Sequence, residues 1–190
     1  MLIPRALRDL LLSMAAAGTF RPLWQSEIMQ EVRRNRIRLD LQQGMTLGAA
    51  TEQADHAALQ MSRAFPDAQL DQDQWLTRVP QMTNDWKDRH VLAAAVGGHA
   101  SHLVTMNTRD FPALSLPAGL TLTRPDPFLL AQLDEEPALV VGAVRKMARR
   151  QTKPAHTVAE LVTMLAGSES VGMFGLRLAE VLDALPGDDV

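Results

Sequence analysis

"DWKDRHVLAAAVGGHASHLVTMNTRDF", residues 85–111, decides how the chain folds. Asp85 and Asp88 stand before an alanine-rich apolar run, and Asp110 closes an Asn-x-x-Asp sequence at the far end. What lies between looks like plain core. Residues 86–96 have the length and composition of a short apolar helix, which Gly97 and Gly98 are expected to stop. "SHLVTMN" has the apolar and β-branched character of a buried strand. In an open parallel sheet, strand carboxyl ends and helix amino ends share one edge, where ligands bind. Asp88 opens the helix and Asp110 follows the strand, so both are expected at that edge.

Outward from this stretch, residues 5–17 read as a helix with Ala6, Leu7, Leu10, Leu11 and Met14 on one face, ended by Gly18. "TFRPLW" is short and β-like. "SEIMQEVRRNRIRL" predicts a second helix with Ser26 as N-cap. Residues 46–65 predict a third, with Ala50, Ala54, Ala57, Ala58 and Met61 as its apolar stripe. Residues 65–85 are acidic and loop-like, broken by Pro66 and Pro80. Pro112, Pro117, Pro125 and Pro127 mark residues 112–127 as a connector. Helices are then expected at about 126–134, 136–151, 157–167 and 172–184. Thr157 and Glu160 form a capping box just after Pro154. Helices alternating with short β stretches predict an α/β layer with a parallel sheet over residues 1–115. Residues 116–190 form a helical C-terminal extension.

The 190 residues suffice for one domain with a substantial core, or a domain with an appendage. With 46% hydrophobic and 22% charged residues, the composition is that of an ordinary globular chain. No apolar run reaches the roughly 20 residues of a membrane span. "LRDLLLSMAAAG" is too short, and Arg8 and Asp9 interrupt it. No basic segment with a cleavage site opens the chain, so no secretory signal is expected. The sequence has no cysteine, which removes disulfides, thiolate zinc sites and cysteine nucleophiles, and fits a reducing cytoplasm. A net charge of −3 excludes a general polycation. The local basic runs "EVRRNRIR" and "RKMARRQTK" read either as solvated helix faces or as phosphate contacts.

Four acids carry the chemistry: Glu31, Asp85, Asp88 and Asp110. Glu31 lies one turn from Glu27 on the same helix face. Carboxylates converging from separate elements repel, and persist only if protonated or bound to a cation. Oxygen ligands without thiolates favour Mg²⁺ or Mn²⁺, ions that activate water for phosphodiester displacement. Each acid also has a structural explanation. Asp85 and Asp88 suit a cap and a first-turn acid, Asp110 a turn, and Glu31 a pair with Arg34 or Asn35. Only their order rises above these explanations. His56, His90, His99, His102 and His156 are too dispersed for a histidine metal cluster. "VGGH" lacks the glycine spacing and lysine of a phosphate loop, and no serine has a nucleophile-elbow context. Trp24, Trp75 and Trp86 read as packing residues before base-stacking platforms, and the ten methionines as core.

The strings "EVRRN" at 31–35, "DRHVLAAAV" at 88–96 and "LVTMNTRDFP" at 103–112 give the chain its resemblance. In that order they resemble the PIN-domain ribonucleases, especially the VapC-like toxins of toxin–antitoxin pairs. The resemblance covers residues 1–115 well and the helical tail less distinctively. It implies a PIN-like parallel sheet flanked by helices. It also implies a Mg²⁺- or Mn²⁺-dependent endoribonuclease, a hydrolase acting on single-stranded RNA, with a cognate antitoxin as partner. Homodimers are common in the family. By this resemblance Glu31, Asp88 and Asp110 are the catalytic, metal-binding acids, and Asp85 is an outer ligand. Thr105, Asn107 and His90 support the pocket. Arg33, Arg34, Lys87, Arg89 and Arg109 are candidates to meet RNA phosphates.

The family pattern opens on a strand ending in aspartate, like D-x-x-V-L-x-P-x-x-L-R-D-L-L-L. This chain reads "MLIPRALRDLLL", which places that aspartate before residue 1. Asp9 belongs to the "LRDLLL" helix and is no substitute. The expectation is therefore a missing first strand and metal ligand, weakened metal affinity, and poor cleavage by these 190 residues. Either translation starts upstream, or the chain is truncated. An unpaired strand edge would favour association. The competing expectation is a catalytically inactive PIN scaffold that binds RNA or a partner protein.

Overall fold

The computed structural model describes residues 5–150 and 156–185. The expected Pro154, the end of the 136–151 helix and the family-like residues 1–4 lie outside them. Nine α-helices and two strands make up the described residues, joined by several 3₁₀ turns.

The first helix, α1 (Arg5–Ala17), presents Leu7, Leu10 and Met14 at helical spacing, all buried. Gly18 ends it with φ +94°, and Thr19 N–H reaches back to the Met14 carbonyl at 3.3 Å. The expected β-like segment before the next helix shrinks to a single bridge. Trp24 pairs in parallel with Gln69, donating to Ala68 and accepting from Leu70, each at 2.9 Å. Helix α2 (Ser26–Gln42) is capped by Gln25, not by Ser26. The buried Gln25 side chain accepts from the Glu27 and Ile28 amides, which leaves Ser26 inside the helix. Helix α3 (Leu47–Ala64) packs Ala50 and Ala54 against α2.

Residues 65–85 are more helical than their prolines suggest. Pro66 starts a 3₁₀ turn, where a missing N–H is harmless. A short helix, α4 (Gln72–Trp75), and a 3₁₀ segment, Leu76–Gln81, follow. Burial of Leu70 and Trp75 against Ala94 overrides the local polarity.

The opening stretch divides in two. Trp86–Asp88 form a 3₁₀ turn, and α5 (Arg89–Gly97) continues from it. The helix ends at Gly97 with Gly98 as its C-cap, as expected, and the left-handed residue that follows is His99 (φ +52°). Gly97 also answers to packing, because a Cβ there would stand 2.0 Å from the Gln74 carbonyl oxygen. Strand β1 (His102–Val104) is shorter than expected. It pairs in parallel with β2 (Thr121–Thr123), which lies inside the expected connector. Leu103 faces Leu122 in register. The α/β class with a parallel sheet stands, with helices dominating.

Helices α6 (Pro125–Glu135), α7 (Pro137–Arg150), α8 (Val158–Ala166) and α9 (Gly172–Ala184) match the expected tail. The Thr157–Glu160 capping box forms as expected. These helices do not pack alone. Leu7, Leu10 and Met14 of α1 join Leu129, Leu133, Val140, Val144, Leu161, Phe174 and Leu178 in the largest core.

Gly97→Ala and Gly142→Ala separate packing from propensity. Gly97→Ala should cost about 1–3 kcal/mol through overpacking against Gln74. Gly142 has nothing within 4 Å of a built Cβ, so Gly142→Ala should add up to about 1 kcal/mol in its helix. Urea denaturation measures both. Equal midpoints for Gly97→Ala and the parent would overturn the packing assignment.

Candidate active site

Asp88 is the last residue before α5, the place where a carboxylate ordinarily caps the helix. Its side chain makes no capping hydrogen bond. Asp85 does the capping instead, accepting from the Lys87 amide at 3.0 Å at the start of the 3₁₀ turn. The structural explanation thus accounts for Asp85 and not for Asp88.

The Asp88 carboxyl turns to Asp110. Protonated Asp88 can donate to the Asp110 carboxylate, and its pKa is pushed up to about 6. Burial is the largest cause, followed by the hydrogen bond to Asp110 and that acid's charge. Glu31 adds a smaller repulsion, and His90 pulls the other way.

Asp110 is held from two sides. The Asn107 amide donates to its carboxylate within a 3₁₀ turn, Thr108–Asp110. Its carbonyl accepts from the Asp85 N–H at 3.2 Å, which ties the two acid-bearing loops together. The buried Thr105 hydroxyl accepts from the Asn107 N–H at 3.1 Å, and the Thr105 N–H donates to Thr123 of β2 at 2.9 Å. Glu31 is half-buried on α2, 3.6 Å from His90 Nε2. That nitrogen is buried without a hydrogen-bond partner.

Residues 2–109, more than half of the chain, match the sequence model of the PIN domain. The chain belongs to the PIN-domain family. Residues 125–172 match the model of the VapC50 C-terminal domain. A protein of Mycobacterium tuberculosis named "Putative ribonuclease VapC50" is 36% identical over 100 residues. That match spans 52% of this chain and 58% of the relative. No solved structure matches the chain significantly. The family and fold expected from the sequence are those found.

PIN membership implies a divalent cation, and the donor chemistry here fits one. Asp88 and Asp110 offer hard oxygen donors that already meet. Glu31 acts on Asp88 through its charge and leans towards His90. Among the described residues no group of three or more His, Asp and Glu is close enough to hold an ion. The site is therefore a two-carboxylate cradle with Glu31 offset.

The basic candidates are unequal. Arg33 is engaged by Asp55 of α3, and Arg36 by the buried Asp40. The Arg89 guanidinium donates to the Asn84 carbonyl at 3.3 Å. Arg34, Lys87 and Arg109 are exposed. Asp9 pairs with Arg8 at 2.6 Å on α1. The expectation of packing holds for Trp24 and Trp75, at 5% and 2% exposure, and fails for Trp86, at 72%. A signal for this was present: Trp86 stands before the apolar run, between two acids. None of the described helices is long and apolar enough to cross a membrane.

The Asp88 shift sets a pH dependence. Between about pH 4 and 6 the folded state keeps a proton that the unfolded chain, titrating near 3.8, has released. Stability therefore falls as pH rises through that window and is flat above it. In EDTA, Asp88→Asn should melt about 1–3 °C above the parent at pH 7.5, a gap kept small by solvent screening. The gap should close by pH 4. A constant difference across the range in calorimetry would refute the shared proton.

Proposed function

We propose that this protein is a metal-dependent endoribonuclease acting on single-stranded RNA, the toxin of a pair with a cognate antitoxin. The observation that carries this is the contact of Asp88 and Asp110, an arrangement that costs stability and caps nothing. PIN membership and the relative's name support it.

In this reading Asp88 and Asp110 would hold Mg²⁺ or Mn²⁺, with Glu31 completing the charge. The ion would polarise a water and the scissile phosphate when bound. The chain's own residues do the rest. Asn107 fixes the Asp110 carboxylate, and Thr105 fixes Asn107. His90 steadies Glu31. Lys87, Arg34 and Arg109 meet RNA phosphates, and Asp85 stiffens the turn beneath. Residues 1–115 carry the chemistry and residues 116–190 brace it. The same reading puts the protein in the cytoplasm, as a homodimer.

A second reading has one observation in its favour: the absence of a three-ligand group among the described residues. On it, the chain is an inactive scaffold that holds RNA or a protein.

The deciding experiment is RNA cleavage with Mn²⁺ or Mg²⁺. It compares this chain with one extended upstream by the family's strand and aspartate. The extended chain should cleave, and Asp88→Asn or Asp110→Asn in it should lower the rate at least about 100-fold. Equal rates in both chains would remove the missing-ligand argument. No cleavage by either would favour the scaffold.

A further inference from the structure

The site shows one large side chain that neither the core nor the acids explain. Trp24 and Trp75 are buried, and Trp86 is 72% exposed. It stands two residues from Asp88, in the turn that carries that acid. Burying this indole would gain free energy, and the fold leaves it out.

The mount is rigid. The Asp85 carboxylate accepts from the Lys87 N–H at 3.0 Å, and the Asp88 N–H donates to the Asp85 carbonyl at 3.0 Å. The Asp85 N–H is bound to the Asp110 loop. The backbone that carries Trp86 is thus tied to both acid-bearing loops. The Lys87 ammonium sits 5.6 Å from the centre of its ring, a cation–π distance. One indole face meets that cation, and the side chain is otherwise largely exposed.

We propose that the exposed indole of Trp86 stacks an unpaired base of single-stranded RNA whose backbone passes Asp88 and Asp110, with Lys87 pairing the adjoining phosphate. The location rests on the proposed function, but stacking requires no cleavage. The chemistry of the turn selects this ligand. An aromatic ring beside a cation suits a base and its phosphate. An apolar protein interface would need apolar neighbours, and the turn instead surrounds Trp86 with Asp85, Lys87 and Asp88.

The test uses the whole chain in EDTA, so that binding is read without cleavage. The probes are a single-stranded oligouridylate and an oligomer of equal length with abasic sites. With two of three tryptophans buried, RNA should quench mainly Trp86. Trp86→Ala should weaken oligouridylate binding about tenfold, and Trp86→Phe should restore most of it. The abasic oligomer should bind the parent as weakly as oligouridylate binds Trp86→Ala. Equal affinity of Trp86→Ala and the parent would overturn the proposal. So would a tryptophan emission change driven by protein concentration alone and lost in Trp86→Ala, which would mark a contact between copies. Quenching by RNA without cleavage under any divalent ion would defeat the nuclease reading and leave stacking intact. Cleavage with Trp86→Ala binding as the parent does would defeat stacking alone.

Discussion

Two carboxyl groups stay in contact only if the elements carrying them are prevented from separating. In this protein the small core of Leu92, Leu103 and Phe111 does that work. Leu92 belongs to α5, Leu103 to β1, and Phe111 directly follows Asp110. Each such side chain gains about 1.5–3 kcal/mol on burial. Repulsion between two charges 4 Å apart runs to about 4 kcal/mol near a protein surface. Burial on the scale of this cluster is comparable with that repulsion, so the packed elements can hold the acids together. The apolar run is therefore a spacer under load: packing along its length sets the gap between the acids at its ends.

The rest of the fold supports that spacer from outside. Gly97 lets α5 press against the Gln74 carbonyl, so α4 and the turns beyond it back the helix. Gln25 and the Trp24 bridge fix where α2 begins, and so the height at which Glu31 approaches His90. β2 holds β1 in register and anchors Thr105 through Thr123. The large core joining α1 to α6–α9 is separate from the small one. Val104 packs on the large core while Leu103 lies in the small one, so alternation along β1 connects the two.

Much of this was legible because the strong signals are local. The α1 stripe, the Thr157–Glu160 box and the apolar helix expected at 86–96 each follow from local pattern within one element, and each formed, the last as a 3₁₀ turn followed by Arg89–Gly97. What was not legible depends on partners distant in sequence. Ser26 is a good N-cap in isolation, but the buried Gln25 occupies that place. Pro66 and Pro80 read as breakers, yet Trp75 and Leu70 fold their neighbours onto Ala94. β2 hid among prolines because a three-residue strand needs β1 to exist. Asp88 and Asp110 were legible from topology alone, helix start beside strand end. The exposure of Trp86 had only its acidic neighbours as a signal, and the His90 nitrogen without a hydrogen bond had none, since neither leaves a periodic trace.

The contrast between Asp85 and Asp88 carries the functional weight. The two acids lie three residues apart at the start of one helical segment and have the same opportunity to cap. Asp85 takes it and binds the Lys87 amide, as a structural aspartate should. Asp88 leaves the helix amides unserved and faces another acid, where burial and charge raise its pKa to about 6. A group serving stability alone would make the opposite choice. A carboxyl raised by burial and by a neighbouring acid, close to an imidazole nitrogen that makes no hydrogen bond, has the perturbed environment in which functional groups are commonly found. Nothing the fold gains locally from Asp88 offsets the cost of placing it against Asp110, and that is what separates it from Asp85.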